Sequence, residues 1–430
     1  MIGFVGLSHL GVVSSVAAAS KWFRVVAYDP RGAWISELNQ GRLPFAEPGL
    51  DEALKSQRPR MQFTANLKDL AACDLVYFSV DIQTDEKNQS DASGLTELVR
   101  TTLPHLKAGT TLVVLSQVAP GFVRALSRTE GVKNFPLFYQ VETLIFGQAW
   151  ERAVKPERII VGASDPGREL PEKYSEFLAP FGCPILKMRY ESAELAKISI
   201  NLCLAASLSV TNTLAEICES IGADWSEIIP ALRMDKRIGP HAYLKPGLGI
   251  SGGNLERDLV TVKQLSAERG TEAGIVEAFL TNSDYRRDWV LRLLSEKLLG
   301  ESPNPLIAVW GLAYKPETNS VKNSPALALI KTLKGASLRV YDPKAVLPTG
   351  SDTRIKQVKT ALEACQQADA LVVMTPWEEF SKIKLTELRI PMRGYLVIDP
   401  WGALDASSGS AENFSYYRLG APPLPAENLS

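Results

Sequence analysis

Apolar positions along this chain come in short solid runs, closed by glycine, aspartate or small residues and separated by helix-like stretches. Residues 1–5 form the first run, followed by Gly6, Ser8 and Gly11 and then the small-residue stretch 12–20. That is the order of a strand, a tight turn and a helix. A second run, 23–28, ends at Asp29. The resulting β-α-β unit places an acid about twenty residues beyond the glycines, the spacing of a dinucleotide fold. Further runs at 74–80, 111–115 and 158–161 predict more strands of a parallel sheet covered on both faces.

From 192 to about 299 the apolar period becomes that of helices, interrupted by the Gly- and Pro-rich loop 239–253. After Pro303 the β/α rhythm returns. The run 306–310 leads into Gly311, the run 338–341 ends at Asp342, and 370–374 echoes 75–80. The tripeptide Tyr-Asp-Pro occurs at Tyr28 and again at Tyr341. The expected fold class is α/β, with two Rossmann-like doubly wound lobes joined by a central helical domain and a ligand cleft between the lobes. The expected domains are 1–190, 191–300 and 301–430. The tail from Ala421 is expected to be poorly ordered.

With 430 residues, 45% hydrophobic and 22% charged, the chain has room for two or three cores. A net charge of -1 gives no long-range attraction for nucleic acid or an anionic membrane, so an anionic ligand must be gripped by a few placed basic groups. No stretch of about 18 apolar residues is expected to span a bilayer, and the amino terminus lacks the basic leader of a signal peptide. Cys73, Cys183, Cys203, Cys218 and Cys365 are scattered and odd in number. They suit neither a disulfide framework nor a metal site, and the expected compartment is the cytoplasm.

The turn after the first strand brings backbone N–H groups towards a pyrophosphate, and small residues keep side chains out of the way. Gly6, Ser8, His9, Leu10 and Gly11 build it, although Ser8 stands where the usual pattern has its second glycine. A carboxylate at Asp29 suits ribose hydroxyls and disfavours a 2′-phosphate, so NAD is the expected cofactor. Arg31 keeps NADP open, and a non-binding α/β lobe is the bland alternative.

The stretch Ala193-Glu194-Leu195-Ala196-Lys197-Ile198-Ser199-Ile200-Asn201 resembles the central helix of the UDP-glucose/GDP-mannose dehydrogenase family, which carries a similar Ala-Glu-x-x-Lys-x-x-x-Asn. Asp235, Arg237-Ile238-Gly239, Pro246-Gly247-Leu248-Gly249, Gly252 and Asp258 follow in that family's order. So do Gly41 with Glu47-Pro48-Gly49-Leu50, Gly311-Leu312-Ala313-Tyr314-Lys315, Thr318, Ser324-Pro325, Ala368-Asp369-Ala370, Thr375 and Trp377. The resemblance covers nearly the whole chain.

It implies oxidation of a nucleotide-sugar C6 alcohol by NAD, in a homodimer. Lys197 and Asn201 would hold the sugar oxygen, their four-residue spacing placing both on one helix face. Asp258 would position a water or take a proton through it, and Glu142 would serve the hydrolytic half. The cofactor would further meet Val80, Ser116, Gln117 and Lys322. The substrate would meet Leu144, Arg237, Tyr243, Gly249, Gly252 and Lys315. Read blandly, Lys197 is a solvated helix charge and Asp258 a surface carboxylate paired with Arg257.

The departures gather around the same site. Aligning the glycines puts Asn254 where the family has its catalytic cysteine, and an amide is not a usable nucleophile. Cys203 lies two residues from Asn201 and is turned away on the helix. Gln117 replaces a threonine, Phe146 a second glutamate, Ile82 and Gln83 a Thr-Pro pair, and Trp401 an arginine. These changes leave three readings: C6 oxidation without a covalent step, to the aldehyde or through its hydrate to the uronic acid; an oxidoreductase or epimerase with bound NAD acting at another carbon; or a non-catalytic nucleotide-sugar binder.

Overall fold

The structure is a computed structural model that describes residues 1–85, 89–251, 254–347, 352–405 and 414–424. Its internal contacts divide it into two compact units, Met1–Ile200 and Asn201–Ser430, with the division inside one long helix, Tyr190–Ile221.

The first unit is built on eight strands: β1 (Ile2–Val5), β2 (Val25–Tyr28), β3 (Met61–Thr64), β4 (Leu75–Phe78), β7 (Thr111–Val114), β8 (Leu137–Gln140), β9 (Ile159–Ala163) and β10 (Ile185–Arg189). A separate two-stranded ribbon joins β5 (Gln83–Thr84) to β6 (Ser90–Asp91). The sheet order is β10-β9-β8-β7-β4-β1-β2-β3, so the six strands from β3 to β8 follow the dinucleotide-binding arrangement. One pair departs from the expected parallel sheet, since β8 and β9 run antiparallel. Both faces are covered, which is why the strands read as solid apolar runs. Ile2 and Phe4 enter one core cluster and Val5 the other.

The second unit has a six-stranded parallel sheet of β11 (Leu306–Trp310), β12 (Ser337–Tyr341), β13 (Ile355–Gln357), β14 (Ala370–Val373), β15 (Leu396–Ile398) and β16 (Ser415–Tyr417). Its order, β13-β12-β11-β14-β15-β16, repeats that of the first lobe. The Tyr-Asp-Pro echo has a structural basis. In both lobes the glycine after the first strand has positive φ, +90° at Gly6 and +93° at Gly311. The next N–H donates to the tripeptide's aspartate, Leu7 N to Asp29 Oδ2 at 2.9 Å and Leu312 N to Asp342 Oδ2 at 2.6 Å. The aspartate is therefore an anchor for the turn in each lobe. The expected pair of doubly wound lobes is what the chain forms.

Helices Tyr190–Ile221, Trp225–Met234, Asn254–Arg269, Gly274–Arg287 and Trp289–Leu294 fill the middle of the chain. Contrary to the expectation of no such stretch, Tyr190–Ile221 is long and apolar enough to pass for a membrane span, at mean hydropathy 1.4. Buried polar residues along it, Glu194, Asn201 and Asn212, each make hydrogen bonds to protein groups. Both carboxylate oxygens of Glu194 accept backbone N–H groups, from Gly121 and Val123. The carboxy-terminal tail is also ordered further than expected: Leu424 pairs with Tyr416 through two backbone hydrogen bonds, and Ala421 is buried.

Candidate active site

The cofactor turn is set by close approaches that only glycine permits. A Cβ on Gly6 would lie 2.1 Å from Val80 Cγ1, and one on Gly11 would lie 2.0 Å from the Gly6 carbonyl oxygen. Helix His9–Ser20 starts immediately after the turn, with Ser8 as its N-cap residue. The Ser8 hydroxyl donates to the Ser79 carbonyl at 3.0 Å, so the serine in the second-glycine position is used to tie the turn to the end of β4. Leu10 is buried, and Ser116 is buried with its hydroxyl directed at the Phe78 carbonyl. Val80 and Gln117 are half-buried beside the ends of β4 and β7. A helix N-terminus kept clear by glycines fits a dinucleotide pyrophosphate. Gly11→Ala is expected to weaken NAD binding by about 10- to 100-fold, equivalent to an overpacking cost of roughly 1–3 kcal/mol. Fluorescence titration with NADH checks this.

Asp29 is buried, and the Arg31 side chain forks onto both of its oxygens at 2.7 and 2.8 Å. Burial alone raises the carboxyl's pKa, but the Arg31 side chain and the Leu7 and Arg31 N–H groups outweigh it and hold the group below its ordinary range. In the second lobe, N–H groups of Lys344 and Ala345 take the place that Arg31 takes here. Arg31, read from sequence as an opening for NADP, is thus engaged with Asp29.

His9 carries more than its place in the turn. Its ring lies 4.1 Å from that of Phe146, stacked, and its Nε2 is 3.2 Å from Glu47 Oε2. Glu47 also accepts Gly147 N at 3.1 Å and Ala149 N at 2.7 Å. One buried carboxylate therefore joins the cofactor helix to the loop that carries Glu142. The Glu-Pro-Gly-Leu motif held this signal, but not what the glutamate bonds to.

In the first unit, Lys197 Nζ stands 3.9 Å from Glu142 Oε2, with side chains only 11% and 17% exposed. The bland reading of Lys197 as a solvated charge does not hold. The Leu144 N–H donates to Glu142 Oε1, which fixes the carboxylate against its own loop. One helical turn further along, in the second unit, Asn201 donates its amide to Asp258 Oδ2 at 2.6 Å. Arg257 Nε is 3.2 Å from the other oxygen. Asp258 is 1% exposed, so the surface-carboxylate reading is corrected: it is buried at the core of the central helices.

Asn254 is exposed and opens the helix that carries Asp258. Two residues on, Glu256 accepts Arg287 Nη2 at 2.8 Å and Asn323 Nδ2 at 2.6 Å. A first-turn carboxylate complements the helix dipole while bracing the helix from two sides. Sequence reading missed this residue, since nothing local distinguishes it from a solvated charge.

The loop before this helix is held by its backbone. Asn212 accepts Gly247 N, Ser283 accepts Ile250 N, and Trp225 donates to the Leu244 carbonyl, each at 2.8 Å. Gly249 has φ +69°, and a Cβ there would sit 2.3 Å from the Ser283 carbonyl. Trp401 packs beside Gly247 and donates to the Met374 carbonyl at 3.0 Å. Gly252 lies outside the described residues. Arg237 is an exposed side chain forked on Asp235, and Tyr243 is exposed. Lys315 is half-buried, its ammonium 5.7 Å from the Tyr314 ring, and Lys322 lies exposed in the same segment.

Residues 1–181 match the NAD binding domain of the UDP-glucose/GDP-mannose dehydrogenase family, 191–284 its central domain and 308–406 its UDP binding domain. A UDP-glucose 6-dehydrogenase of Bacillus subtilis is 28% identical over 437 residues, covering 98% of this chain and 94% of that protein. One from Rhizobium meliloti is 28% identical over 439 residues, covering 98% and 99%. The solved UDP-glucose dehydrogenase of Pyrobaculum islandicum superposes with a TM-score of 0.85 at 27% identity, covering 98% of this chain and 97% of that one. The chain belongs to the UDP-glucose/GDP-mannose dehydrogenase family, and is an NAD-dependent nucleotide-sugar dehydrogenase.

Proposed function

We propose that this chain oxidises the C6 hydroxyl of a UDP-sugar without forming a covalent thioester. The observation that carries the reading is a single helix with Lys197 directed at Glu142 and, one turn on, Asn201 bonded to Asp258. Bound NAD supplies the hydride acceptor. Lys197 and Asn201 stabilise negative charge growing on O6, as preorganised donors do in a site shielded from water. Asp258, bonded to Asn201, orients that amide and receives the departing proton through water. The names of the relatives support a UDP-sugar, and the first product is the 6-aldehyde, open to further oxidation through its hydrate.

Absence of a covalent step is supported by Asn254 at the aligned cysteine position. Four of the five cysteines, all but the exposed Cys203, are poor substitutes. Burial pushes the Cys73 thiol up to about 11 and raises those of Cys365, Cys218 and Cys183. A raised pKa starves the thiolate that nucleophilic attack needs. All five are free thiols, consistent with a reducing cytoplasm. The long helix also exposes Val210, Leu214, Ile217 and Ile221, spaced along one stripe, which supports pairing of two chains through this helix.

Incubation with NAD and a panel of UDP- and GDP-sugars is expected to yield NADH with a UDP-hexose, and iodoacetamide treatment is expected to leave the rate unchanged. No NADH with any nucleotide sugar rejects the oxidation. Loss of activity on alkylation at a site other than the exposed Cys203 rejects the cysteine-free course.

A further inference from the structure

We propose that Glu256 is a positioning residue that sets the spacing between the loop after β11 and the helix carrying Asp258, so that one nucleotide sugar is gripped in register at both ends. This rests on the C6 oxidation proposed above and deepens it. All the residues involved belong to the second unit.

The loop runs from Gly311 to Ser324. It leaves the carboxyl end of β11, where the chain of strands turns to β12 on one side and β14 on the other, the place at which an open α/β sheet takes its ligand. Its two ends are tied together, since the Ser324 hydroxyl donates to the Leu312 carbonyl at 2.7 Å. Within it the Tyr314 N–H donates to the Ser320 carbonyl at 3.0 Å, and the Thr375 hydroxyl, just beyond β14, donates to the Ala313 carbonyl at 2.6 Å. The loop is therefore braced as one piece. It carries Lys315 and Lys322, basic groups of the kind that charge-assisted bonds to a diphosphate require.

Glu256 joins this piece to the central helices. One of its oxygens accepts Asn323 Nδ2 at 2.6 Å and the other Arg287 Nη2 at 2.8 Å, in a side chain only 12% exposed. The same Arg287 nitrogen donates to the Ile250 carbonyl at 3.4 Å, and Asn323 has φ +50°, a region that asparagine enters more readily than most residues. Three segments thus meet on one carboxylate: the helix that opens at Asn254 and carries Asp258, the glycine loop at Ile250, and the lysine-bearing loop.

That convergence has a chemical reason. A nucleotide sugar carries its charge at the diphosphate and its reacting carbon across the sugar ring, so the groups that grip one end must stand at a fixed distance from those that act on the other. A misplacement of about 1 Å at the reacting carbon costs about 100-fold in rate. Both Glu256 oxygens are committed to protein donors, so its effect passes through the segments that it holds.

The test uses the full chain with Glu256→Gln, Asn323→Asp and the two combined, each checked by thermal unfolding. The first substitution leaves one acceptor for two donors, and the second sets carboxylate against carboxylate. In the double variant the new amide accepts from Arg287 and donates to the new carboxylate at 323, so both bonds return with one of them reversed. Each single variant is expected to lower kcat with a UDP-sugar by about 10- to 100-fold. The Kd for UDP alone, measured by calorimetry, should stay within about twofold of wild type, because UDP spans only the end that needs no spacing. The double variant should recover kcat to within about threefold of wild type, the non-additivity expected of two groups in direct contact. The two single variants are independent, so a folding failure in one leaves the other as the test. Unchanged kcat in a folded single variant overturns the proposal, as does a double variant in which the two losses simply multiply. UDP affinity that falls in step with kcat also overturns it, since the role would then be structural only. No NADH from wild type with any UDP-sugar overturns the C6 oxidation itself.

Discussion

Lys197→Ala is expected to lower kcat/KM for the nucleotide sugar by about 100- to 1,000-fold, the range found when one preorganised donor to a developing oxyanion is removed. The loss should fall mainly on kcat, because the ammonium is needed most where negative charge gathers on O6. NADH affinity should be unchanged, since the cofactor turn is built from Gly6 to Gly11 and its contacts at the end of β4. Lys197 is only 11% exposed, so its side chain is committed to the protein interior and not to solvent. Steady-state kinetics with thermal unfolding as a folding control decide the matter. A variant that turns over as fast as wild type would remove Lys197 from the chemistry.

The second large effect concerns stability. Arg286→Ala is expected to cost about 3–5 kcal/mol, as removal of one partner from a buried charge cluster does. Arg286 is fully buried on helix Gly274–Arg287, and its Nη1 and Nη2 lie 3.2 and 3.1 Å from Glu216 and Glu219 of the long helix. Glu219 also accepts Trp289 Nε1 at 2.9 Å and Gly420 N at 2.8 Å. Without the guanidinium, two carboxylates would face each other where three segments of the second unit meet. Urea unfolding followed by fluorescence measures the change; a loss under about 1 kcal/mol would place the cluster among ordinary surface pairs.

Much of the site was legible in the sequence because its residues are tied to local geometry. Gly6 and Gly11 announce a turn where backbone and side chains approach too closely for a Cβ, and the repeated Tyr-Asp-Pro marks two equivalent turn anchors. Lys197 and Asn201 were readable from helix spacing. Their partners were not, because Glu142 and Asp258 lie 55 and 57 positions away in the chain, as the residue numbers show. The strands Met61–Thr64, Leu137–Gln140 and Ser415–Tyr417 escaped notice because each mixes polar or tyrosine positions with apolar ones over only three or four residues, unlike the solid apolar runs that mark β11 and β14. The buried state of Glu47 and the bracing by Glu256 escaped it for another reason, since a glutamate in a polar stretch reads as solvated until its partners are known.

What the sequence determined by itself was the order of elements: strand, glycine turn and helix, twice over, with a helical segment between carrying a lysine and an asparagine one turn apart. These depend on backbone conformation and on side-chain periodicity, which neighbouring residues dictate. Only the tertiary structure decided which carboxylate meets which donor and that β8 and β9 run antiparallel. Those outcomes follow from packing between segments distant in the chain, where burial makes an unpaired charge costly and so selects the arrangement in which each finds a partner.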